Sequence, residues 1–397
     1  MQISNFINRF SEPQTLLMAK LGRELTAQGI DVINLSLGEP DFPTPAHISE
    51  AAKRALDEGF TKYTPVPGYM ELREAVCHKL KRDNNLDYKP ENILVSTGAK
   101  QSLANVILAT INEGDEAIIP TPYWVTYSAL VDMALGKNIF IDCKLEDGYK
   151  LTPEALEAAI TDKTRLFVFS TPCNPSGAVY SYEELVALKN VFVKYPNITI
   201  VSDEIYEYIN YVGKHESIAQ FEELKDRVVV VNGFAKGFSM TGWRLGYIAA
   251  PVEMVKACEK IQGSFTSGTN SIAQRAAITA LTSDLTPTFE MVKAFEERKD
   301  YMLNALGAIK GLKISNPEGA FYAFPDVSYY FGKTVPDGTI INNATDLAMY
   351  ILNVAHVSTV TGDAFGTPSC LRLSYAAAMD KLQSAIQRIE KALADLK

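Results

Sequence analysis

The chain has 397 residues, which is enough for one large and one small domain around a deep core. Its 38 basic and 47 acidic side chains give a net charge of -9, which argues against general electrostatic binding to nucleic acid or to an anionic membrane. An acidic ligand would therefore need locally placed basic side chains.

Cysteine usage and the N-terminus predict a cytoplasmic protein. The five cysteines are scattered and lack CxxC spacing, which predicts reduced thiols and no metal site. The first residues show neither a secretory nor a transit pattern, and no apolar run reaches the roughly 18 residues that a membrane span needs. We therefore expect no association with a membrane.

The N-terminal segment combines a helical pattern, TLLMAKLGRELTAQG, with an extended stretch, LSLGEPDFPTP. Forty-odd residues cannot bury enough apolar surface to fold alone. We therefore expect residues 1–44 to pack on the C-terminal domain.

Residues 45–285 alternate short apolar runs with amphipathic helical patterns. The apolar runs are NILVSTG, DEAIIPTP, KNIFIDC, TRLFVFSTP, NITIVSD, RVVVVNG and RLGYIAAP. Because they lack strict polar alternation, they are typical of strands that are covered on both faces. The rhythm predicts an α/β domain with a large, doubly wound and mostly parallel sheet.

Residues 286–397 have a different pattern. A long helical stretch is followed by the strand-like GAFYAFPD and LRLSYA and by two further helices. This part of the chain predicts a smaller α+β domain.

Chemistry-bearing residues follow the predicted strands of the large sheet, where ligands bind in open α/β folds. Gly98 ends one strand and opens a helix at Ala99 and Lys100, so that free backbone N–H groups could hold a phosphate. Asn174 ends another strand in a loop made rigid by prolines, and it could aim an amide at the same crevice.

The next strands end in a carboxylate and in a lysine. Asp203 closes NITIVSD and Tyr206 follows it, while Lys236 and Arg244 follow RVVVVNG. Each residue alone has an ordinary interpretation, such as a helix cap or a solvated turn lysine. Together with Asn174 and the glycine turn at Gly98, these residues suit the binding of a phosphorylated aromatic aldehyde.

Six motifs resemble those of a known family. They are NGFAKGFSMTGWRLGY, SDEIYEYI, TPCNPSG, TPYWVTY, LSLGEPDF and LRLSY. They are similar to the motifs of the fold-type-I, class I pyridoxal-phosphate aminotransferases, and within these to the prokaryotic-type aspartate enzymes. The resemblance covers essentially the whole chain. It implies transfer of an amino group from aspartate to 2-oxoglutarate, with pyridoxal 5'-phosphate as cofactor, in a homodimer with composite sites.

The resemblance also implies roles around the cofactor ring. Lys236 would hold the cofactor as a Schiff base and then move a proton at the substrate. Asp203 would pair with the protonated ring nitrogen and so maintain the electron sink. Tyr206 and Asn174 would contact the ring oxygen, and Trp124 would stack on the ring.

Further roles concern the phosphate and the substrate. Arg244 and the backbone at Gly98, Ala99 and Lys100 would bind the phosphate, with Tyr63 reaching it from a neighbouring subunit. For the substrate α-carboxylate, Arg372 would supply a bidentate fork, assisted by the Gly38 backbone. Trp124 and Asn174 would also line the substrate site.

The chain departs from the family pattern at several places. Gly233 and Ala235 stand where relatives often carry serine, Pro13 alters a stretch near the substrate, and residues 264–270 differ as well. No residue is assigned to a distal substrate carboxylate. Three alternatives stay open: an alanine, aromatic or kynurenine aminotransferase, a lyase, or a cofactor-binding regulator without turnover. The regulator would need a DNA-binding domain, for which the first 44 residues are too short and not basic enough.

Overall fold

The computed structural model of the protein describes residues 1–10 and 14–397. Pro13, one of the departures noted above, lies outside the described residues. In chain order, the first helices and strand are α1 (Gln14–Ala27), β1 (Ile33–Asn34), α2 (Ala46–Asp57) and α3 (Met70–Asn84).

Seven strands form the large sheet, and they coincide with the seven predicted apolar runs. They are β2 (Ile93–Ser96), β3 (Glu116–Thr121), β4 (Lys137–Asp142), β5 (Thr164–Ser170), β6 (Thr199–Asp203), β7 (Val228–Gly233) and β8 (Gly246–Ala249). Their order across the sheet is β2-β8-β7-β6-β5-β3-β4. Only β8 is antiparallel to its neighbours, β2 and β7, so the prediction of a mostly parallel sheet is confirmed.

Helices cover both faces of this sheet. They are α2 and α3 together with α4 (Ala99–Thr110), α5 (Thr126–Met133), α6 (Pro153–Ala159), α7 (Tyr182–Phe192), α8 (Val252–Phe265) and α9 (Ser271–Thr282). In β7, Val228 and Val230 join the apolar core on one face, and Val229 and Val231 join the core on the other. Burial on both faces explains why the strands are apolar throughout.

The C-terminal part is built on a small antiparallel sheet. Its elements are α10 (Thr286–Ala308), β9 (Tyr322–Ala323), α11 (Ala344–Tyr350), β10 (Val357–Ser358), β11 (Val360–Thr361), β12 (Leu371–Ser374) and α12 (Met379–Ala394). Strand β12 lies between β11 and β9.

The N-terminal segment contacts this C-terminal part. Strand β1 pairs in parallel with β10, with Ile33 opposite Val357, and Met18 and Leu35 belong to the C-terminal apolar core. These contacts support the division into residues 1–44, 45–285 and 286–397, which we retain as a proposal.

A buried network of charged side chains includes Glu204 and Glu207, which follow β6 in the chain. Lys79 of α3 forms an ion pair with Glu207 and donates a hydrogen bond to Asn84 Oδ1 at 2.7 Å. Beside them, Glu204 accepts hydrogen bonds from Ser217 Oγ at 2.6 Å and Ser202 Oγ at 2.8 Å and faces His215 Nε2 at 3.0 Å. Burial raises the pKa of Glu204, but His215 and the two serines outweigh it, so this pKa lies below its usual value.

The same network contains three side chains with metal-ligand atoms within 4.8 Å of one another, those of Glu204, Glu207 and His215. The Lys79 ammonium already neutralises the Glu207 carboxylate. The arrangement is therefore that of a buried ion-pair network, and we assign no metal to it.

We predict that Lys79→Met destabilises the protein strongly. Removal of the ammonium leaves the buried Glu207 carboxylate without its cation, which costs about 3–5 kcal/mol. The measurement is the apparent free energy of unfolding in urea. Lys81→Met is the matched control, because Lys81 lies on the same helix in an exposed ion pair with Asp87, and it should change stability by less than about 1 kcal/mol. Equal effects of the two substitutions would contradict the prediction.

Candidate active site

A cavity of about 360 Å³ lies at the edge of the large sheet where its parallel strands end. Eleven of the twelve predicted site residues line it: Gly38, Gly98, Ala99, Lys100, Trp124, Asn174, Asp203, Tyr206, Lys236, Arg244 and Arg372. The exception is Tyr63, whose side chain is 99% exposed and lies outside the cavity. The structure thus brings together residues that are separated by more than 300 positions in the sequence.

Lys236 presents its amine to this cavity. The amine donates a hydrogen bond to the Gly38 carbonyl and lies 5.6 Å from the centroid of the Tyr206 ring. Burial, followed by the charge of Arg372, lowers the pKa of Lys236 to about 8. More of the amine is therefore unprotonated near neutral pH than in a solvated lysine, which suits attack on a carbonyl carbon.

Asp203 is buried at the carboxyl end of β6. Its Oδ2 accepts a hydrogen bond from the Tyr127 hydroxyl at 2.6 Å, and its Oδ1 accepts one from the Ile205 N–H at 3.3 Å. Burial raises the pKa of Asp203 to about 6, although these two hydrogen bonds act in the opposite direction. The carboxylate is therefore mostly ionised at neutral pH and can hold a cation.

One end of the cavity has the geometry of an anion site. Gly98 precedes α4 with a φ of 80°, and the first N–H groups of the helix, from Ala99 and Lys100, have no partners within the helix. The Arg244 guanidinium covers this turn so closely that a Cβ on Gly98 would lie 2.6 Å from Arg244 Nη2. Arg244 itself has a φ of 54°, a left-handed conformation that is costly for a residue other than glycine.

Arg372 forms a second anion site within the buried part of the cavity. It donates from Nη1 to Asn174 Oδ1 at 3.0 Å and from Nη2 to the Ser36 carbonyl at 2.5 Å. Its guanidinium lies 4.6 Å from the centroid of the Tyr322 ring, and its buried Nε has no hydrogen-bond partner among residues 1–10 and 14–397. A fixed guanidinium with an unused donor fits a carboxylate.

The structure adds residues that the sequence analysis did not single out. Tyr127 contacts Asp203, and the Tyr322 hydroxyl lies 2.7 Å from that of Tyr206. Glu39 and Thr15 also line the cavity. Tyr127 stands within the quoted motif TPYWVTY and Tyr322 within the predicted strand GAFYAFPD, but periodicity does not show which tyrosine of a buried segment meets a carboxylate.

The structure also explains one departure from the family pattern. A Cβ on Gly233 would lie 2.9 Å from the Cα of Gly246 on the neighbouring strand β8, so a serine does not fit there without a backbone shift. Ala235 lines the cavity, whereas no described residue between 264 and 270 does.

The helices of the described part of the chain include none that is both long and apolar enough to span a bilayer. All five cysteines are free thiols.

Known proteins resemble this chain over its full length. Residues 30–389 match the family described as aminotransferase class I and II. The chain is 45% identical to a bifunctional aspartate aminotransferase and glutamate/aspartate-prephenate aminotransferase of Petunia hybrida, over 100% of this chain and 83% of that protein. It is also 45% identical to an aspartate/prephenate aminotransferase of Nitrosomonas europaea, over 99% of this chain and 100% of that protein.

Solved structures show the same fold. The aspartate aminotransferase from Rhizobium meliloti superposes with a TM-score of 0.97 at 40% identity, with 100% of both chains covered. The Thermus thermophilus aspartate aminotransferase with maleate superposes with a TM-score of 0.92 at 37% identity, over 99% of this chain and 100% of that chain. The predicted fold-type-I architecture is confirmed, and the chain belongs to the class I and II aminotransferases.

Proposed function

We propose that the protein is a pyridoxal-phosphate-dependent aminotransferase that converts aspartate and 2-oxoglutarate into oxaloacetate and glutamate. The observation that carries the proposal is that the Lys236 amine, the buried Asp203 carboxylate and two separate anion sites lie on a single cavity. In the same order, these four groups would bind the aldehyde of the cofactor, its ring nitrogen, its phosphate and a carboxylate of the substrate.

The residues of the cavity fit pyridoxal phosphate. Arg244 and the N-terminus of α4 would hold its phosphate, Asp203 its ring nitrogen, and Trp124 one face of its ring. Burial lowers the pKa of Lys236 to about 8, which favours attack of its amine on the aldehyde. When bound, the cofactor supplies an electron sink for the negative charge that develops on the substrate Cα.

The protein side chains then perform the remaining tasks. Arg372, held in place by Asn174 and Ser36, would bind the α-carboxylate and thereby orient the substrate. Lys236 would take the proton from the substrate Cα and deliver it to the former aldehyde carbon of the cofactor. Because the amino donor and the oxo acceptor would both place their α-carboxylate at Arg372, we infer that they bind in turn, which is a ping-pong mechanism.

The charge of the cavity supports an acidic substrate. Among the residues that the structure describes, its lining contains four basic side chains, those of Lys100, Lys236, Arg244 and Arg372, and two acidic ones, those of Glu39 and Asp203. Three of the four basic groups are assigned above to the aldehyde, the phosphate and the α-carboxylate. Local positive charge of this kind is what a chain of net charge -9 needs to bind an anion.

The remaining basic group, Lys100, would serve the second carboxylate of aspartate. Its Nζ lies 5.0 Å from the centroid of the Trp124 ring. It forms no ion pair with a carboxylate among the described residues, and burial, followed by the charge of Arg244, lowers its pKa. A related structure is of an aspartate aminotransferase with maleate, a dicarboxylate with four carbons, which supports a dicarboxylic substrate but does not bear on the residue that binds it.

We predict that Lys100→Met lowers kcat/KM for aspartate by about ten-fold or more, since a charge-assisted contact contributes roughly 1.5–3 kcal/mol. The effect on alanine, which lacks the second carboxylate, should be less than about three-fold, so alanine is the internal control. In the unsubstituted enzyme, aspartate should exceed glutamate, alanine, phenylalanine, tyrosine and kynurenine as donor. A monocarboxylic donor equal to aspartate would overturn the aspartate assignment and leave the family assignment intact.

A second candidate concerns the acceptor. Several relatives of 42–45% identity are named as aspartate/prephenate aminotransferases. Prephenate carries a 2-oxo acid and a second carboxylate, which are the groups assigned to Arg372 and Lys100. Measuring kcat/KM for prephenate and for 2-oxoglutarate with the same donor decides between them.

We also propose a homodimer in which Tyr63 completes the phosphate site of the other subunit. The full exposure of its ring and its position outside its own cavity support this arrangement. Phe265, which is 72% exposed, is another apolar side chain that a second copy could cover. A cytoplasmic location remains a prediction from the reduced cysteines.

We predict that Tyr63→Phe weakens cofactor retention, whereas Tyr182→Phe, at another exposed tyrosine, does not. Retention is measured by dialysis and absorbance. At limiting cofactor, a mixture of the Tyr63 variant with a Lys236→Ala variant should regain activity, because one of the two sites in a mixed dimer is intact. A monomeric protein with full activity would contradict the composite site.

A further inference from the structure

Tyr127 has a position that the proposed roles leave unexplained. It lies in the first turn of α5, three residues after Trp124, and its side chain is 1% exposed. Its ring packs edge-on against the Trp124 ring at 5.7 Å, and its hydroxyl donates the 2.6 Å hydrogen bond to Asp203 Oδ2. Burial raises the pKa of Tyr127 well above its ordinary value, so the phenol keeps its proton and remains a donor.

Asp203 lies among groups with opposing effects on its charge. The carboxylate of the adjacent Glu204 disfavours a second negative charge, whereas Lys236 favours it. A charge on Asp203 also acts on two further titratable side chains, those of Tyr206 and Cys173. Among the described residues, Tyr127 is the side-chain donor that favours the ionised form of Asp203 by direct contact.

We propose that Tyr127 is a positioning residue that keeps the proton shared by Asp203 and the cofactor ring nitrogen on the nitrogen. This inference rests on the proposed function. The proton can lie on the ring nitrogen, which gives a charged pair of N–H⁺ and carboxylate. It can also lie on Asp203, which gives a neutral pair of nitrogen and carboxylic acid. A carboxylate that already accepts an O–H hydrogen bond is a weaker base, so the charged pair is favoured. The electron sink needs the protonated nitrogen.

The test is the ¹⁵N chemical shift of ring-labelled pyridoxal phosphate bound to the protein, which reports where the proton lies. In the unsubstituted protein the shift should be that of a protonated nitrogen. Tyr127→Phe should move the equilibrium toward the neutral pair by about ten-fold, the effect of one hydrogen bond to a charged group. A shift unchanged by this substitution would overturn the proposal.

Two variants separate this inference from the proposed function. Tyr123→Phe removes another tyrosine hydroxyl of the same segment. This hydroxyl donates a hydrogen bond to Ser128 Oγ at 3.0 Å and not to Asp203, so the substitution should leave the ¹⁵N shift unchanged. Asp203→Asn should give an unprotonated nitrogen. If the nitrogen stays protonated in that variant, the assignment of Asp203 to the ring is wrong; if only Tyr127→Phe is silent, the inference alone fails.

Affinity supplies a second measurement that does not depend on catalysis. The cofactor-free protein should prefer pyridoxal phosphate over the analogue in which C–H replaces the ring nitrogen. Tyr127→Phe should reduce this preference by about ten-fold, whereas a purely structural role would weaken both ligands equally and contradict the proposal. If that variant does not fold, 3-fluorotyrosine at position 127 retains the side chain with a more acidic hydroxyl and should increase the preference. No change in the preference would again overturn the proposal.

Discussion

Replacement of Lys236 by alanine is expected to lower kcat by about 10⁴-fold or more, because in the proposed mechanism this one side chain supplies both the covalent link to the cofactor and the proton transfer at Cα. The variant should still bind pyridoxal phosphate, since Arg244, the α4 N-terminus and Asp203 are intact, but without the covalent link. Borohydride treatment of the unsubstituted protein followed by peptide mapping should find the reduced adduct on Lys236.

The control for this prediction is Lys260→Ala, which removes an exposed lysine of α8. It should leave both turnover and the adduct unchanged. An adduct on a lysine other than Lys236, or activity of the Lys236→Ala variant close to that of the unsubstituted enzyme, would remove the basis of the proposed mechanism.

The second large effect is expected at Asp203. Asp203→Ala should lower kcat by about 10³-fold or more while some cofactor binding remains, because an unprotonated pyridine accepts carbanion charge poorly. That loss corresponds to several kcal/mol of transition-state stabilisation. Steady-state kinetics at saturating cofactor separate loss of turnover from loss of binding.

Asp142 offers a matched control. It is also an aspartate at the carboxyl end of a strand in the large sheet, but it ends β4 and is exposed. Asp142→Ala should change kcat by less than about two-fold. Similar effects of the two substitutions would show that Asp203 acts through the fold and not through the ring nitrogen.

The large sheet could be predicted because its signal is local. Runs such as RVVVVNG are buried on both faces, so their apolar character is continuous and easily recognised. The strands of two residues, β1, β9, β10 and β11, could not be predicted in the same way, because two residues show no periodicity. The predicted strand GAFYAFPD, for example, contains only the short strand β9.

The candidate site could be predicted in part for a related reason. Asp203, Lys236 and Gly98 follow recognisable strands, and the edge at which parallel strands end is a general location of ligand sites. Tyr127 and Tyr322 gave no such signal, because both belong to buried segments whose aromatic residues are interchangeable in a pattern. The lack of room for a Cβ at Gly233 likewise depends on Gly246 of another strand.

The sequence by itself determined which segments become strands and helices, and therefore which side chains follow a strand. These properties depend on residues close together in the chain. Only the tertiary structure decided which of those side chains meet. Strand β8 is antiparallel, so it begins at the edge where its neighbours end, and this places Arg244 over Gly98. Arg372 reaches Asn174, 198 residues away in the chain, because the C-terminal part packs against that edge of the sheet. No local sequence pattern encodes this packing.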